Sequence, residues 1–250
     1  MRPRQDDVEC HIMYCGEPTI DCCIASIDDQ TLRPSRIIVI EDVTPINESI
    51  NERHRNMQKT FSVKVDADCI LYPRCFELLY KAMVKKGPEY YATSCLTLDP
   101  FVGVEGGIHL ERTACLRNLE VPDIIGCDRF IQDEMEKQGY KFFEIPKKVL
   151  AEHWSDWSWQ QVFKKSMRIG QKHLYFKVKR HNWIRNFAKR WLEGNSTAFI
   201  AVLGYCYGLL NPDGTEKGAN FAENELDIIG GMIKSNIIPK PDKFYSLRKG

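Results

Sequence analysis

Apolar and polar positions along the chain alternate between two periods, and the elements they predict come in β-then-α order. Val8 to Tyr14 reads as a first strand, broken by Cys15-Gly-Glu-Pro18. Pro18 opens a helix whose apolar face is Ile20, Cys23, Ile24 and Ile27, the 3.6-residue spacing of an amphipathic helix. Arg36 to Ile40 is an uninterrupted apolar strand, of the kind buried in parallel sheets. Pro45 to Lys59 reads as a short polar segment, and Phe61 to Val65 as a further strand. A helix from Pro73 to about Lys85 turns Phe76, Leu78, Leu79 and Met83 inward, and Tyr90 to Leu96 returns to strand. Three such units predict an α/β fold with a mostly parallel sheet and helices on both faces.

Further on, glycines punctuate Val102 to Ile108, where the backbone can approach a partner closely. A helix is expected from about His109 to Leu119, and another from Ile124 to Lys137, stopped by Gly139. Lys141 to Ile145 and Lys148 to Ala151 read as two short strands, with His153 just beyond. Helical spacing returns through Trp159 to Arg168. The longest apolar run, Ala198 to Leu210, falls well short of the ~20 residues that span a bilayer. Asn211-Pro-Asp-Gly214 predicts a turn, Ala222 to Ile233 a helix, and Pro239 onward a polar tail.

The chemistry of the chain centres on Phe61-Ser-Val-Lys-Val-Asp-Ala-Asp-Cys-Ile-Leu-Tyr-Pro73. If the strand continued, its period of two would send Asp66 and Asp68 out on one side. Two carboxylates held that close repel unless a cation sits beside them. Oxygen ligands there suit Mg²⁺ or Mn²⁺ with phosphate oxygens completing the shell. The plainer alternative is a solvated turn. Acid-x-acid spacing also occurs at Asp7/Glu9, Glu134/Glu136 and Glu223/Glu225, but only the 66/68 pair follows a strand with apolar residues on both flanks. Ligands of open α/β sheets sit beyond the carboxyl ends of the strands, where Glu41, Asp42, Asp66 and Asp68 all fall. Asp128 lies in the first turn of a helix, a position the helix dipole favours for any acid.

Composition narrows the partners. With 250 residues, one large domain or one domain with a helical appendage is expected. A net charge of +1 argues against bulk electrostatic binding to nucleic acid. The ten cysteines form no CxxC pair; a reduced, cytoplasmic setting fits them better than a disulfide framework. Met1 to Asp7 has no apolar signal core.

The order of these parts resembles the nucleotide-sugar glycosyltransferases of the GT-A fold, family 2 in particular, over Val8 to about Trp154. Ser26-Ile-Asp-Asp-Gln-Thr31 is similar to that family's Ser-Ile-x-x-Gln-Thr, and Ile37-Ile-Val-Ile-Glu-Asp-Val-Thr44 to its Ile-Val-Val-Asp-Asp-Gly-Ser. Lys64 to Pro73 looks like its DxD segment, Glu105-Gly-Gly107 stands where it keeps an acceptor loop, and Gly126-Cys-Asp-Arg-Phe130 where it keeps its xED acid. His153 falls where many such enzymes hold a metal-ligating His. Two departures stand out: Glu41 replaces the first Asp of the nucleoside-binding pair, and Cys127 replaces the Glu of xED.

The resemblance implies a domain over 1–155 that binds a nucleotide-diphospho-sugar, UDP-sugar favoured, and transfers the sugar with inversion to an acceptor hydroxyl. It implies nucleotide contacts from Tyr14, Glu17, Glu41, Asp42 and Asp66, and acceptor or sugar contacts from Gly106, Gly107 and Arg112. Metal ligands would be Asp68, Asp66 and His153, holding Mn²⁺ or Mg²⁺, with Asp128 as catalytic base. The acceptor would be a glycan or lipid-linked glycan in surface-polysaccharide or glycoconjugate synthesis. A non-catalytic GT-A-like module that binds a glycan or a protein is the alternative. A nucleotidyltransferase would want a glycine-rich, lysine-bearing loop near the N-terminus, which Cys15-Gly-Glu-Pro18 does not offer.

Residues 156–250 read as a basic, aromatic-rich helical extension. Trp157 to Leu192 holds ten Lys/Arg and no Asp or Glu, and all five tryptophans lie between Trp154 and Trp191. Basic charge with Trp and Phe is what interfacial membrane helices present, so peripheral membrane contact through 157–210, at the inner face of the cell membrane, is one expectation. A solvated basic face over aromatics packed inward is the other.

Overall fold

A computed structural model describes residues 5–99, 103–154, 158–177, 182–211 and 222–235. The chain divides into two compact units, one of residues 1–122 with 127–155 and one of 123–126 with 156–250.

The first unit is built on a seven-stranded sheet in the order β2-β1-β3-β6-β5-β7-β4. Its strands are β1 (Val8–Tyr14), β2 (Ile37–Glu41), β3 (Phe61–Asp66), β4 (Cys69–Leu71), β5 (Tyr90–Asp99), β6 (Gly103–Arg112) and β7 (Lys141–His153). The helices are α1 (Ile20–Asp28), α2 (Ile46–Asn56), α3 (Cys75–Lys86), the single turn α4 (Thr113–Leu116) and α5 (Cys127–Lys137). The α/β architecture matches the expectation, but the sheet is mixed. β1 runs parallel to β2 and β3, and β5 to β7. β6 is antiparallel to both β3 and β5, and β4 to β7.

One face of the sheet is apolar. Val8, Cys10 and Ile12 of β1 and Val63 and Val65 of β3 form a single core with Cys23 and Ile27 of α1 and Phe76, Leu79 and Met83 of α3. The Ser-Ile-x-x-Gln-Thr stretch ties this layer to the segment after β3. Ser26 Oγ accepts from Leu71 N at 3.1 Å, and Gln30 Oε1 accepts from Phe76 N at 3.0 Å while its Nε2 donates to Tyr72 O at 2.9 Å. Burial makes those bonds costly to lose, so α1 and the start of α3 hold β4 in place.

The opposite face carries α2 and α5, and half of its core is polar. Ile50, Met57, Ile131 and Met135 form an apolar cluster there. Beside it Arg53, 1% exposed, pairs with Glu111 and donates to Ser62 Oγ at 3.1 Å. Burial works to raise the Glu111 carboxyl, but Arg53 and His109 together hold it down at about 2. His11 Nδ1 lies 2.9 Å from the same Ser62 Oγ, and Glu9, fully buried, accepts from Gln58 N at 2.7 Å.

Several expected boundaries move. Pro45–Lys59 is no polar connection: α2 fills it, and its inward positions Asn47, Ile50, Asn51 and His54 keep helical spacing while being mostly polar. Their amides are used, since Asn51 exchanges bonds of 3.0 and 2.7 Å with the Val121 carbonyl and N–H. The helix expected over His109–Leu119 is strand to Arg112. Ile108 and Leu110 point to the apolar face while His109 pairs across from Lys64 and Glu111 from Ser62 on the polar one. β5 runs on to Asp99. The two strands expected after Gly139 are one, β7, with a register jump between Glu144 and Val149 around Pro146 and Lys147, the latter at φ 53°. α5 begins at Cys127, later than expected.

The second unit is helical: α6 (Trp159–Tyr175), α7 (Asn182–Leu192), α8 (Ser196–Leu210) and α9 (Ala222–Lys234). The apolar run at 198–210 forms α8, which lies against α6. Gly204 and Gly208 sit against the carbonyls of Phe163 and Met167, where a Cβ would collide. His173 Nδ1 meets Tyr205 Oη at 2.9 Å across the same pair. Trp191 of α7 stacks on Phe199 of α8, with ring centroids 4.7 Å apart. Among the described residues no helix is long and apolar enough to cross a membrane. Trp157, most of the 211–214 turn and the tail from Pro239 lie outside the described residues.

Candidate active site

The carboxyl end of β3 and its neighbours form a cleft of about 360 Å³, whose walls include Lys64, Asp66, Glu105, Gly106, Gly107 and His153. β3 stops at Asp66, so the strand period does not extend to Asp68. Ala67 and Asp68 form a turn into β4 instead. β4 then pairs antiparallel with the end of β7, Cys69 opposite His153. That pairing, together with a 2.6 Å bond from Trp154 N to Asp68 O, delivers His153 to Asp68. His153 Nε2 lies 2.9 Å from Asp68 Oδ1.

The other ring nitrogen is also placed against carboxylates. His153 Nδ1 is 2.9 Å from Asp99 Oδ2 and 3.6 Å from Glu105 Oε1. The candidate ligand atoms of Asp68, Cys69 and His153 all lie within 4.8 Å of one another, as do those of Asp99, Glu105 and His153. Asp66 belongs to neither group. Burial, reinforced by Asp66 and Asp68, pushes the Cys69 thiol well up, so its sulfur stays protonated and is a poor ligand. Asp68 and His153 remain. Two donors on adjacent vertices of an octahedron with bonds of about 2.1 Å stand roughly 3 Å apart, and an oxygen–nitrogen pair suits Mn²⁺ well. The donor set therefore fits a divalent cation.

Asp128, 60% exposed in the first turn of α5, is 3.2 Å from the ammonium of Lys64. Asp128 is the main reason the Lys64 ammonium is pushed up against the opposing effect of burial, with Asp66 adding to it. The predicted nucleotide residues gather at the ends of β1, β2 and β3. Asp42 N donates to Tyr14 O at 2.9 Å, and Asp42 itself sits at φ 54°. Glu17 accepts from Cys15 N at 2.7 Å. Burial first, then Glu17, Asp42 and Asp66, raises the Cys15 thiol, so these three carboxylates bear on one spot. Glu41 is exposed beside them.

Gly106 and Gly107 border the cleft as expected. A Cβ at Gly107 would collide with the Thr97 hydroxyl, so glycine is required by the neighbouring strand. Arg112 is not at the cleft. β6 carries it to the opposite end of the sheet, across from Phe61, where it donates to Tyr90 O at 2.8 Å and Gly87 O at 2.9 Å. Reading 109–119 as a helix had hidden this displacement. Asp99 and Lys64, by contrast, were not singled out as site residues. Asp99 is 54 residues from His153 in sequence, and only the β5–β7 pairing brings them together.

No family model matches this sequence, and no curated protein does. Solved structures do. The mannosyltransferase PcManGT from Pyrobaculum calidifontis, in complex with GDP-Man and Mn²⁺, aligns over 91% of this chain and 80% of its own with a TM-score of 0.53 at 14% identity. S. aureus TarS 1–349 aligns over 78% of this chain and 81% of its own, with a TM-score of 0.45 at 12% identity. The first match carries the fold assignment: the chain has a GT-A-type fold. At this identity the likeness is one of fold.

Proposed function

We propose that the protein is an inverting, metal-dependent glycosyltransferase that moves a sugar from a nucleotide-diphospho-sugar to an acceptor hydroxyl. The observation that carries this reading is the Asp68–His153 pair, 2.9 Å apart at a cleft bordered by Gly106 and Gly107, within a GT-A-type fold. Asp68 and His153 hold the cation. When bound, Mn²⁺ or Mg²⁺ supplies positive charge against the diphosphate as it leaves. Asp42 accepts from a base N–H, with Tyr14, Glu17 and Glu41 around the nucleoside and Asp66 on the ribose or the metal side. The acceptor oxygen attacks the anomeric carbon as the bond to the diphosphate breaks; the nucleoside diphosphate departs with the electron pair. Asp128 takes the acceptor proton on the carboxylate oxygen that Lys64 leaves open. A positioned base of this kind contributes ~10²–10⁴-fold. One displacement inverts the anomeric centre.

UDP was favoured from the sequence; the complex of the structural neighbour with GDP-Man gives GDP equal standing. A glycan or lipid-linked acceptor fits the second unit, whose α7 exposes Trp191 and Leu192 (83%) beside Lys189 and Arg190. That combination supports contact with an anionic membrane surface.

The test is thermal stabilisation by UDP, GDP, CDP and dTDP, each with and without Mn²⁺, on the protein and on Asp68→Ala. Saturation near 100 Kd is worth about 2.7 kcal/mol, a rise of roughly 5–10 °C for a chain of this size. A Mn²⁺-dependent rise for one nucleotide, lost in the variant, is expected. No shift with any nucleotide overturns the reading in favour of a non-catalytic GT-A-shaped binding module.

A further inference from the structure

We propose that Asp99 is a positioning residue of the metal site, fixing the ring of His153 so that Nε2 is presented to the cation beside Asp68. The assignment rests on the metal–diphosphate reading above and goes one residue deeper. Asp99 closes β5, and its neighbour on β7 is the strand end that carries His153: Leu98 pairs with Glu152. Its carboxylate is 0% exposed, and Oδ2 stands 2.9 Å from His153 Nδ1. A carboxylate removed from water needs a hydrogen-bond donor, and the Nδ1–H of a neutral imidazole is one. A proton held on Nδ1 leaves the lone pair on Nε2, the nitrogen facing Asp68 Oδ1. Ligating imidazoles in general depend on such a partner for tautomer, ring orientation and basicity.

Glu105 is the rival for this role. It reaches only 3.6 Å from Nδ1, beyond hydrogen-bond range, and its side chain is 30% exposed at the cleft. The distance and the burial both favour Asp99. Cation binding thus extends over strands that no local spacing connects: the turn before β4 and the end of β7 supply the ligands, and the end of β5 orients one of them.

The experiment uses the full chain labelled with ¹⁵N-histidine, titrated with Mn²⁺ in the presence of saturating UDP and, in parallel, GDP. Mn²⁺ affinity is read by loss of the free-ion electron paramagnetic resonance signal, and nitrogen ligation by the ¹⁵N hyperfine coupling. Asp99→Asn should weaken Mn²⁺ by about 10–100-fold and diminish the coupling, with the melting temperature of the apo protein unchanged. Glu105→Gln should leave the coupling intact. If Asp99→Asn binds Mn²⁺ as tightly as wild type with full coupling, the assignment is overturned while the metal site stands. If Asp68→Asn also binds as wild type does, or wild type shows no affinity above that of the nucleotide alone, the metal reading itself fails and takes the assignment with it. Should Asp99→Asn not fold, the wild type still decides. With Zn²⁺ as a diamagnetic probe, the ¹⁵N shifts of His153 must report a protonated Nδ1 and a ligated Nε2; the reverse tautomer overturns the proposal.

Discussion

Acid should unfold this protein early, because His11 is buried as a neutral ring. His11 is 0% exposed on β1 and shares Ser62 Oγ with Arg53. Its Nε2 has no hydrogen-bond partner among the described residues. Burial, then the charges of Arg53 and Arg36, lowers it from an ordinary 6.5 to about 3, with Glu111 working the other way and His54 adding to the fall. A depressed folded value means that the stabilisation is complete above 6.5 and is lost as pH falls toward 3. The full drop of about 3.5 units corresponds to about 5 kcal/mol, and about 3 kcal/mol of it is gone by about pH 4.5. A domain stable by only ~5–15 kcal/mol cannot absorb that unnoticed. Glu111, held at about 2, contributes in the same direction, but below its ordinary 4.5, so the two windows separate. The assay is urea unfolding of wild type and His11→Asn at about pH 7.5 and 4.5. Asparagine keeps an amide toward Ser62 and cannot charge. Wild type should lose about 3 kcal/mol more than the variant between the two pH values. Equal losses, within about 1 kcal/mol, would refute the argument and place the acid sensitivity elsewhere.

Two further outcomes follow from the same face of the sheet and from its far end. Arg53→Met should cost about 3–5 kcal/mol in urea unfolding at neutral pH, since it strands Glu111 as an uncompensated buried charge, and adding Glu111→Gln should recover part of that loss. Arg112→Ala should lower stability by about 2 kcal/mol through two lost carbonyl contacts while leaving Mn²⁺–nucleotide affinity unchanged; a tenfold loss of nucleotide affinity would return Arg112 to the site.

What the sequence made legible was the apolar face. β1, β2, β3, α1 and α3 bury Val, Ile, Leu, Cys and Phe, and their two periodicities announce them. α2 obeys the same helical period with Asn47, Asn51 and His54 in inward places. A rule that scores apolar recurrence sees only Ile50 there and reports a connection. β6 was lost for a related reason: between the glycines and Arg112 it alternates His109 and Glu111 with Ile108 and Leu110, and burial on both faces removes the usual contrast with solvent. One misread strand then displaced Arg112 by the length of the sheet.

The site divides along the same line. Asp66, Asp68, Gly106 and Gly107 were legible because each sits within a few residues of a strand end, where local order predicts position. His153 was legible only through its resemblance to a family. Lys64 and Asp99 were legible through neither, since what gives them meaning is pairing between strands distant in sequence: β3 with the start of α5, and β5 with β7. The polar row on β3 makes the connection physical. Ser62, Lys64 and Asp66 leave that strand on one side, opposite Glu111, His109 and the glycines of β6 in turn. Ser62 is locked into the buried Arg53 network, Lys64 reaches Asp128, and Asp66 opens on the cleft. A strand held at its buried end by an ion pair is a stiff support for charges at its open end, and stiffness is what a site needs if it is to hold like-charged carboxylates near one another before a cation arrives.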